Sequence, residues 1–501
     1  MKKYLILTGM LMAFFAMAYP QTQTDIGDVD IADAIEDEYI FDHAINTNNI
    51  NVIVIDGIVQ LTGRVDNIQA KERATNIARL VKGVRSVSNR ITVDPPGDMT
   101  DSDIRNNVEL ALMMDPATNS YEVNVSVINN KVILTGLVDS YQKKQLSEHV
   151  AKSVKGVVAL DNLINVDYKR DRFDTEIKRE IEELLKWNIL VDDGLINVKV
   201  AEGAVTLTGV VGSAAEKYNA YLTAWVGGVK SVDNAELEVA WWAEDKDLRK
   251  NKYVRKTDDE IEQAIKNAAF YDPRIYSFNI DPESDNGWVT LRGEVDNLKA
   301  RKVAGKLAEN TTGVVGVTNR IKVTTADLPP DDAEIKSEIQ SRLENNVITE
   351  AWQISVMVRN GIVTLSGTVD SYLERSEAEW VASGVEGVYN VNNILDVNYP
   401  YSYYWYGHYP YYDFHIIKPD RTYVATMNVP DDDEIKRNVE RQLWWCPFVD
   451  SDDVEVTVEN GDVTLEGAVN SIREYRKASE NAWEGGAWTV DNQLTIKSIN
   501  N

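Results

Sequence analysis

The sequence predicts an α+β protein: a tandem array of six small α-β-β-α-β domains, each a three-stranded mixed sheet with two helices on one face. Three observations predict it. A phrase made of a turn dipeptide, a Val-x-Leu strand and a Gly returns six times, beginning with Asp56-Gly57-Ile58-Val59-Gln60-Leu61-Thr62-Gly63. Each copy is preceded by an apolar stripe at helical spacing and an alternating β-branched run. The copies also hold register: the strand-ending glycines Gly63, Gly136, Gly209, Gly293, Gly367 and Gly467 each stand six positions after the turn. Nineteen or twenty positions later come Gly83, Gly156, Gly228, Gly313, Gly387 and Gly486, and six further on Asn89, Asn162, Asn234, Asn319, Asn393 and Asn492. Compositional similarity would drift; a fixed spacing marks repeated structural units.

Each unit opens on an amphipathic helix. Its stripes are Ile31, Ile35, Tyr39; Ile104, Val108, Leu112; Ile177, Ile181, Leu185; Ile261, Ile265, Ala269; Ile335, Ile339, Leu343; and Ile435, Val439, Leu443. Residues four apart share a face, so one side of each helix is buried. Acids precede the stripes, as in Asp331-Asp332 and Asp431-Asp432-Asp433-Glu434, where capping and the positive end of the helix favour them.

Alternation follows: Ile50, Val52, Val54; Val123, Val125, Val127; Ile196, Val198, Val200; Tyr276, Phe278, Ile280; Ile354, Val356, Val358; Val454, Val456, Val458. Period two with β-branched residues predicts a strand with one buried face. The turns Asp56-Gly57, Asn129-Asn130, Glu202-Gly203, Asn286-Gly287, Asn360-Gly361 and Asn460-Gly461 suit a type I′ hairpin. In the fourth copy the stretch Asp281 to Asn286 reads as a longer hairpin loop. The second helix carries small residues four apart: Ala74 and Ala78, Ser147 and Ala151, Ala220 and Ala224, Ala304 and Ala308, Ala378 and Ala382, Ala478 and Ala482. Small side chains let that helix approach the sheet closely, the Gly beyond caps it, and a last strand such as Asn89 to Val93 closes the unit.

At 501 residues the chain is too long for one core, whereas units of about 70 residues can each fold alone. Met1-Lys2-Lys3, an apolar run from Tyr4 to Phe15 and Ala16-Met17-Ala18 read as a secretory leader cleaved after about Ala18, which directs the chain to the periplasm. The run is shorter than the roughly 20 residues needed to span a bilayer. The mature chain is expected to have no transmembrane segment. Net charge is −28, and −30 once Lys2 and Lys3 leave, so nucleic acid is not an expected partner. Cys446, the single cysteine, permits no internal disulfide and reads as a small buried hydrophobe.

These units resemble the BON domain family, named for bacterial osmotically inducible and nodulation proteins. The resemblance rests on Gly361, Val363, Leu365 and Gly367, on the Ala pair, and on Gly387, Val388, Val391 and Asn393, with their counterparts in the other copies. Local departures are Asn130 for the turn Gly and Ala487-Trp488 for the Val that follows Gly in other copies, and both bear on local geometry only. The resemblance implies envelope maintenance, with phospholipid or membrane association in some members and osmotic induction in others. The expected boundaries are a leader at 1–18; repeats at 25–95, 99–168, 172–240, 257–325, 331–398 and 430–498; a joint at 241–256; and a Tyr-rich linker at 399–429.

Chemistry is sparse. His43, His149, His408 and His415 are scattered, and with one Cys they compose neither a zinc cluster nor a Cys-His nucleophile. Asp281, Glu283 and Asp285 lack the Gly and closing Glu of a calcium loop. No enzyme, cofactor or metal is expected. Aromatics are the candidates for contact. Trp380 stands off the apolar stripe of its helix and is expected to be exposed; Trp225 and Trp483 hold equivalent places near helix ends. All three suit either packing between repeats or a ligand. The linker offers Tyr401, Tyr403, Tyr404, Trp405, Tyr406, Tyr409, Tyr411 and Tyr412, suited to lipid headgroups, sugars, protein surfaces or a wedge between repeats. The expected function is binding of envelope phospholipid or an envelope protein. Its alternatives are a protein scaffold without lipid binding and a glycan binder acting through the linker.

Overall fold

The computed structural model describes residues 26–397 and 431–497, less 43–44, 46–48, 98, 119–121, 169–171, 245–251, 253–255, 276–277, 325–329 and 350. The first unit sets the plan. Helix α1 (Asp28–Phe41) leads to the hairpin β1 (Ile50–Ile55) and β2 (Ile58–Val65), then α2 (Ile68–Leu80), then a last strand in two pieces, β3 (Ser86–Asn89) and β4 (Thr92–Val93). Strand β2 is central, antiparallel to β1 and parallel to both pieces of the last strand. The five later units repeat the plan with helices α3 (Asp101–Met114) and α4 (Tyr141–Lys152), α5 (Asp174–Trp187) and α6 (Ala214–Thr223), α7 (Asp258–Tyr271) and α8 (Leu298–Glu309), α9 (Asp332–Asn345) and α10 (Tyr372–Ser383), and α11 (Asp432–Trp445) and α12 (Ile472–Glu484). Only the fifth unit carries its last strand unbroken, as Asn390–Val397.

Local chemistry explains the repetition. Asn67, Ser140, Ser213, Asn297, Ser371 and Ser471 cap the second helices through a side-chain oxygen that accepts the amide three residues on. The small pairs lie flat on the sheet: Ala74, Ala78, Ala378 and Ala382 are all fully buried. Both residues of each hairpin turn have positive φ, as the type I′ turn demands, and Asn130 at 61° keeps that geometry in place of Gly. Ala487 is buried like the Val residues it replaces.

The fourth unit corrects the sequence reading. Its first strand is Ile280–Asp285, paired residue for residue with Trp288–Gly293, so the stretch expected as a long hairpin loop is the strand itself. Pro282 is buried where other units have Val, and the strand lies at the sheet edge, where a missing N–H is tolerated. The alternation at Tyr276 and Phe278 misled because it lies before the strand, and Tyr276 is outside the described residues.

The units pack on one another through their second helices. In the first three, the start of each second helix reaches the next unit in a cycle. Ile68 enters the core of the second unit, Tyr141 stacks on Trp225 of the third at 3.7 Å between ring centroids, and Ala214 enters the core of the first. In the last three, Leu298 enters the core of the fifth unit and Ile472 packs on that of the fourth. The two triads meet along three seams that pair units two with five, three with four and one with six. An antiparallel bridge joins Val154 to Asn346 at the first seam and Asn188 to Thr311 at the second. At the third, Trp445 packs against the core of unit one. Within one chain, the three seams thus join the first three units to the last three.

Candidate functional site

The second helices turn the face opposite their small pair toward the centre of the molecule. There they line a chamber of about 1230 Å³ to which all six units contribute. Position by position, the fifth residue of one helix meets the twelfth of the next: Glu72 with Lys152, Tyr218 with Arg79, and Arg476 with Glu309 at 2.7 Å. Lys302 of unit four pairs with Glu379 of unit five, one turn earlier. Seven carboxylates and six Lys or Arg side chains line the chamber, so it is nearly balanced inside a strongly acidic chain and is no trap for polyanions.

Burial governs its titration. Glu38, from α1, faces Glu484, Lys477 and Gln442 of the sixth unit, and burial with the Glu484 charge pushes its carboxyl up to about 8. The ammonium of Lys477 is held charged by Glu480 and Glu484 in spite of burial. His149 lines the chamber, and desolvation among the surrounding protein groups lowers its pKa below the usual imidazole value. Burial pushes the Cys446 thiol up, which leaves it a poor nucleophile. Arg473 Nε is buried without a partner among the described residues. Among those residues no group of three His, Cys, Asp or Glu could hold a metal ion.

The tryptophans singled out in the sequence fall at unit boundaries. Trp225 lies under Tyr141, and its carbonyl accepts a hydrogen bond from Gln142 Nε2. Trp380, expected to be exposed, is half-buried: it packs on the fourth unit's core with Lys299 Nζ 4.8 Å above its ring. Its helix stands off its own sheet at that position, but the neighbouring unit covers it. Trp483 lines the chamber. Tyr401, Tyr403, Tyr404, Trp405, Tyr406, Tyr409, Tyr411 and Tyr412 lie outside the described residues. Asp281, Glu283 and Asp285 alternate on the open face of a strand, two of them paired with Lys266 and Arg292.

One recurrent device escaped the sequence reading. The first residue of each first helix clasps the hairpin turn of its own unit: Asp28 accepts the amides of Asp56 and Gly57 at 2.8 and 2.9 Å. Asp101, Asp174, Asp258, Asp332 and Asp432 do the same in the other units. The signal was present as an Asp fixed 28 positions before the turn, but acids at a helix start already have a sufficient local explanation. The chamber left no signal, because its walls come from units far apart in sequence.

Comparison with known proteins places these features. The BON domain description matches residues 27–95, 100–168, 173–240, 257–325, 331–399 and 431–498. The chain is 32% identical over 199 residues to osmotically-inducible protein Y of Escherichia coli K12, across 38% of this chain and 92% of that protein. It is 29% identical over 141 residues to the outer membrane lipoprotein DolP of Haemophilus influenzae, across 27% of this chain and 72% of that protein. Among solved structures, CdsD, a structural protein of the type III secretion system of Chlamydia trachomatis, aligns with 45% of this chain and 94% of its own at 14% identity. Its TM-score of 0.13 carries no argument. No helix among the described residues is long and apolar enough to cross a membrane.

Proposed function

This chain belongs to the BON domain family, and from that premise we propose that it is an exported, non-enzymatic protein of the cell envelope. In this reading a body of six BON units carries an aromatic docking segment, residues 399–412, onto envelope phospholipid in envelope maintenance or the response to osmotic stress. The observation that carries it is the orientation of the tryptophan-bearing helices. Of the aromatic candidates, Trp225 and Trp380 are spent on contacts between units and Trp483 on the chamber wall, which leaves the Tyr-rich segment among them to dock. Rings with polar tips fit the headgroup zone of a bilayer. A relative named as an outer membrane lipoprotein and another named for osmotic induction support the setting.

The test is flotation of the mature chain with anionic and zwitterionic liposomes at low and moderate salt, beside a variant with the aromatics of 399–412 replaced by Ser. Flotation that survives salt and is lost in the variant supports lipid docking. Failure to float in every condition overturns it and leaves the scaffold reading, in which the same body spaces protein partners.

A further inference from the structure

We propose that copies of this chain bind one another head to tail, the open sheet face of the first unit in one copy seating on that of the sixth unit in the next. Alternate strand residues pack under the helices of their own unit, and those between them point to the other face of the sheet, which is open to solvent. At matching positions the first and sixth open faces carry opposite chemistry. Ile53, Ile55 and Ile58 cluster at the turn end of the first face, 44, 64 and 47% exposed, where the sixth has Thr457, Glu459 and Asp462. Asn51, Thr62 and Ser88 of the first face become Glu455, Glu466 and Asp491 in the sixth. Arg64 and Arg90 of the first become Ala468 and Gln493.

The other open faces mix their signs, as in Lys131 with Asp161 of unit two and Arg292 with Glu283 of unit four. The first face instead carries cations without an acid, and the sixth five carboxylates without a cation. Arg85, laid over Gly57 beside the isoleucines, adds a third cation to the first face, against Asp56 and Asp94 at its rim. Arg64 holds Asp94 at 2.8 Å, but both are exposed, so that pair adds little and exchanges readily. Arg90 and the five carboxylates have no ion-pair partner among the described residues. Three adjacent exposed isoleucines form a patch that a second surface can dry, and Thr457, Thr464 and Thr489 set methyl groups between the carboxylates of the sixth face. With a net charge of −28, two copies repel at long range. At about 0.1 M salt the screening length of about 10 Å mutes that repulsion and leaves touching charges attracted. The two faces are different patches, so the contact is heterologous and can continue from copy to copy.

The experiment is analytical ultracentrifugation of the chain lacking residues 1–18 over a concentration series at low and high salt. At about 0.1 M salt the weight-average mass is expected to climb with concentration to at least about 1.5 times that of one copy, and to fall back toward one copy at about 1 M, where screening reaches about 3 Å. Two charge variants identify the faces, and both keep residues 399–412 unchanged. Arg64→Glu with Arg90→Glu makes both faces acidic; Glu459→Lys with Glu466→Lys makes both basic. All four positions are exposed, so the units are expected to fold as before, which far-ultraviolet circular dichroism checks. Each variant alone is expected to stay a single copy, and an equimolar mixture to associate again, because every acidic face then meets a basic one. A wild-type chain that stays a single copy throughout overturns the proposal. So does a mixture that fails to associate, or a variant that associates alone as well as wild type, which would place the contact elsewhere, as on the Tyr-rich segment.

Discussion

At the scale of single residues, two carboxyl groups with opposite environments make opposite predictions. Asp332 accepts the amides of Gly361 and Asn360, and these hydrogen bonds hold its pKa below the usual 3.8. A carboxylate that is more acidic in the folded state stabilises above its unfolded pKa, and that stability disappears as pH falls through the folded value. Asp332→Ala is therefore expected to lower the urea midpoint at pH 7 and to differ much less from wild type near pH 2.5, as read by paired urea titrations. Glu38 is the reverse case. Its pKa, raised to about 8, makes the folded protein bind a proton that the unfolded chain releases near 4.5. The resulting stability is complete below about 4.5 and is lost as pH rises through about 8. Glu38→Gln is expected to flatten the decline in urea midpoint between pH 5 and pH 9; an equally steep decline in the variant would assign it to other groups. The Asp position was visible in the sequence and its role was not, since a helix N-terminus explains an acid without reference to a turn 28 residues away.

At the scale of elements, the second helix is held to its unit by two features of unequal legibility. The small pair was readable because spacing four in a helix means one face, and only the sheet was available to receive it. The invariant spacing of the closing Asn was equally plain, but its work was not. Asn393 Nδ2 donates to the Arg375 carbonyl at 2.9 Å and its Oδ1 accepts the Leu395 amide, tying the helix to the last strand. Asn89, Asn162, Asn319 and Asn492 make the same tie, whereas the third unit inserts a residue after Asn234 and caps the bend with Asp233 instead. Two substitutions in α10 separate these contributions. Ala378→Leu forces a fully buried contact apart and is expected to cost roughly 1–3 kcal/mol. Asn393→Ala leaves a part-buried carbonyl and amide without this partner, for a smaller cost of about 1 kcal/mol. Calorimetry of the two variants checks both. An unchanged transition in Ala378→Leu would mean that the helix does not sit hard on the sheet.

At the scale of the molecule, strand periods and turn signals specify six units but say nothing of how they are arranged. Arrangement is decided by contacts between units, such as Glu72 with Lys152 and Tyr141 with Trp225, whose partners are some 80 residues apart. No periodicity links them; each helix simply shows a second, mixed face of ordinary polar character, which on an isolated unit would be solvent-exposed. The structure turns that face inward on all six units, and a flexible string becomes one body around a chamber. This makes a prediction about size. A compact chain of 501 residues has a radius of gyration near 23 Å, whereas six units strung on open linkers would scatter as a much longer object. Small-angle scattering of the chain lacking residues 1–18 is expected to give a value close to the compact one. Charge reversal at two of the inward contacts, Glu72→Lys with Glu309→Lys, sets like charges against Lys152 and Arg476 and should swell the particle without unfolding its sheets. A wild-type radius already matching the swollen variant would show that the units do not close on one another in solution, and the chamber would fall with that arrangement.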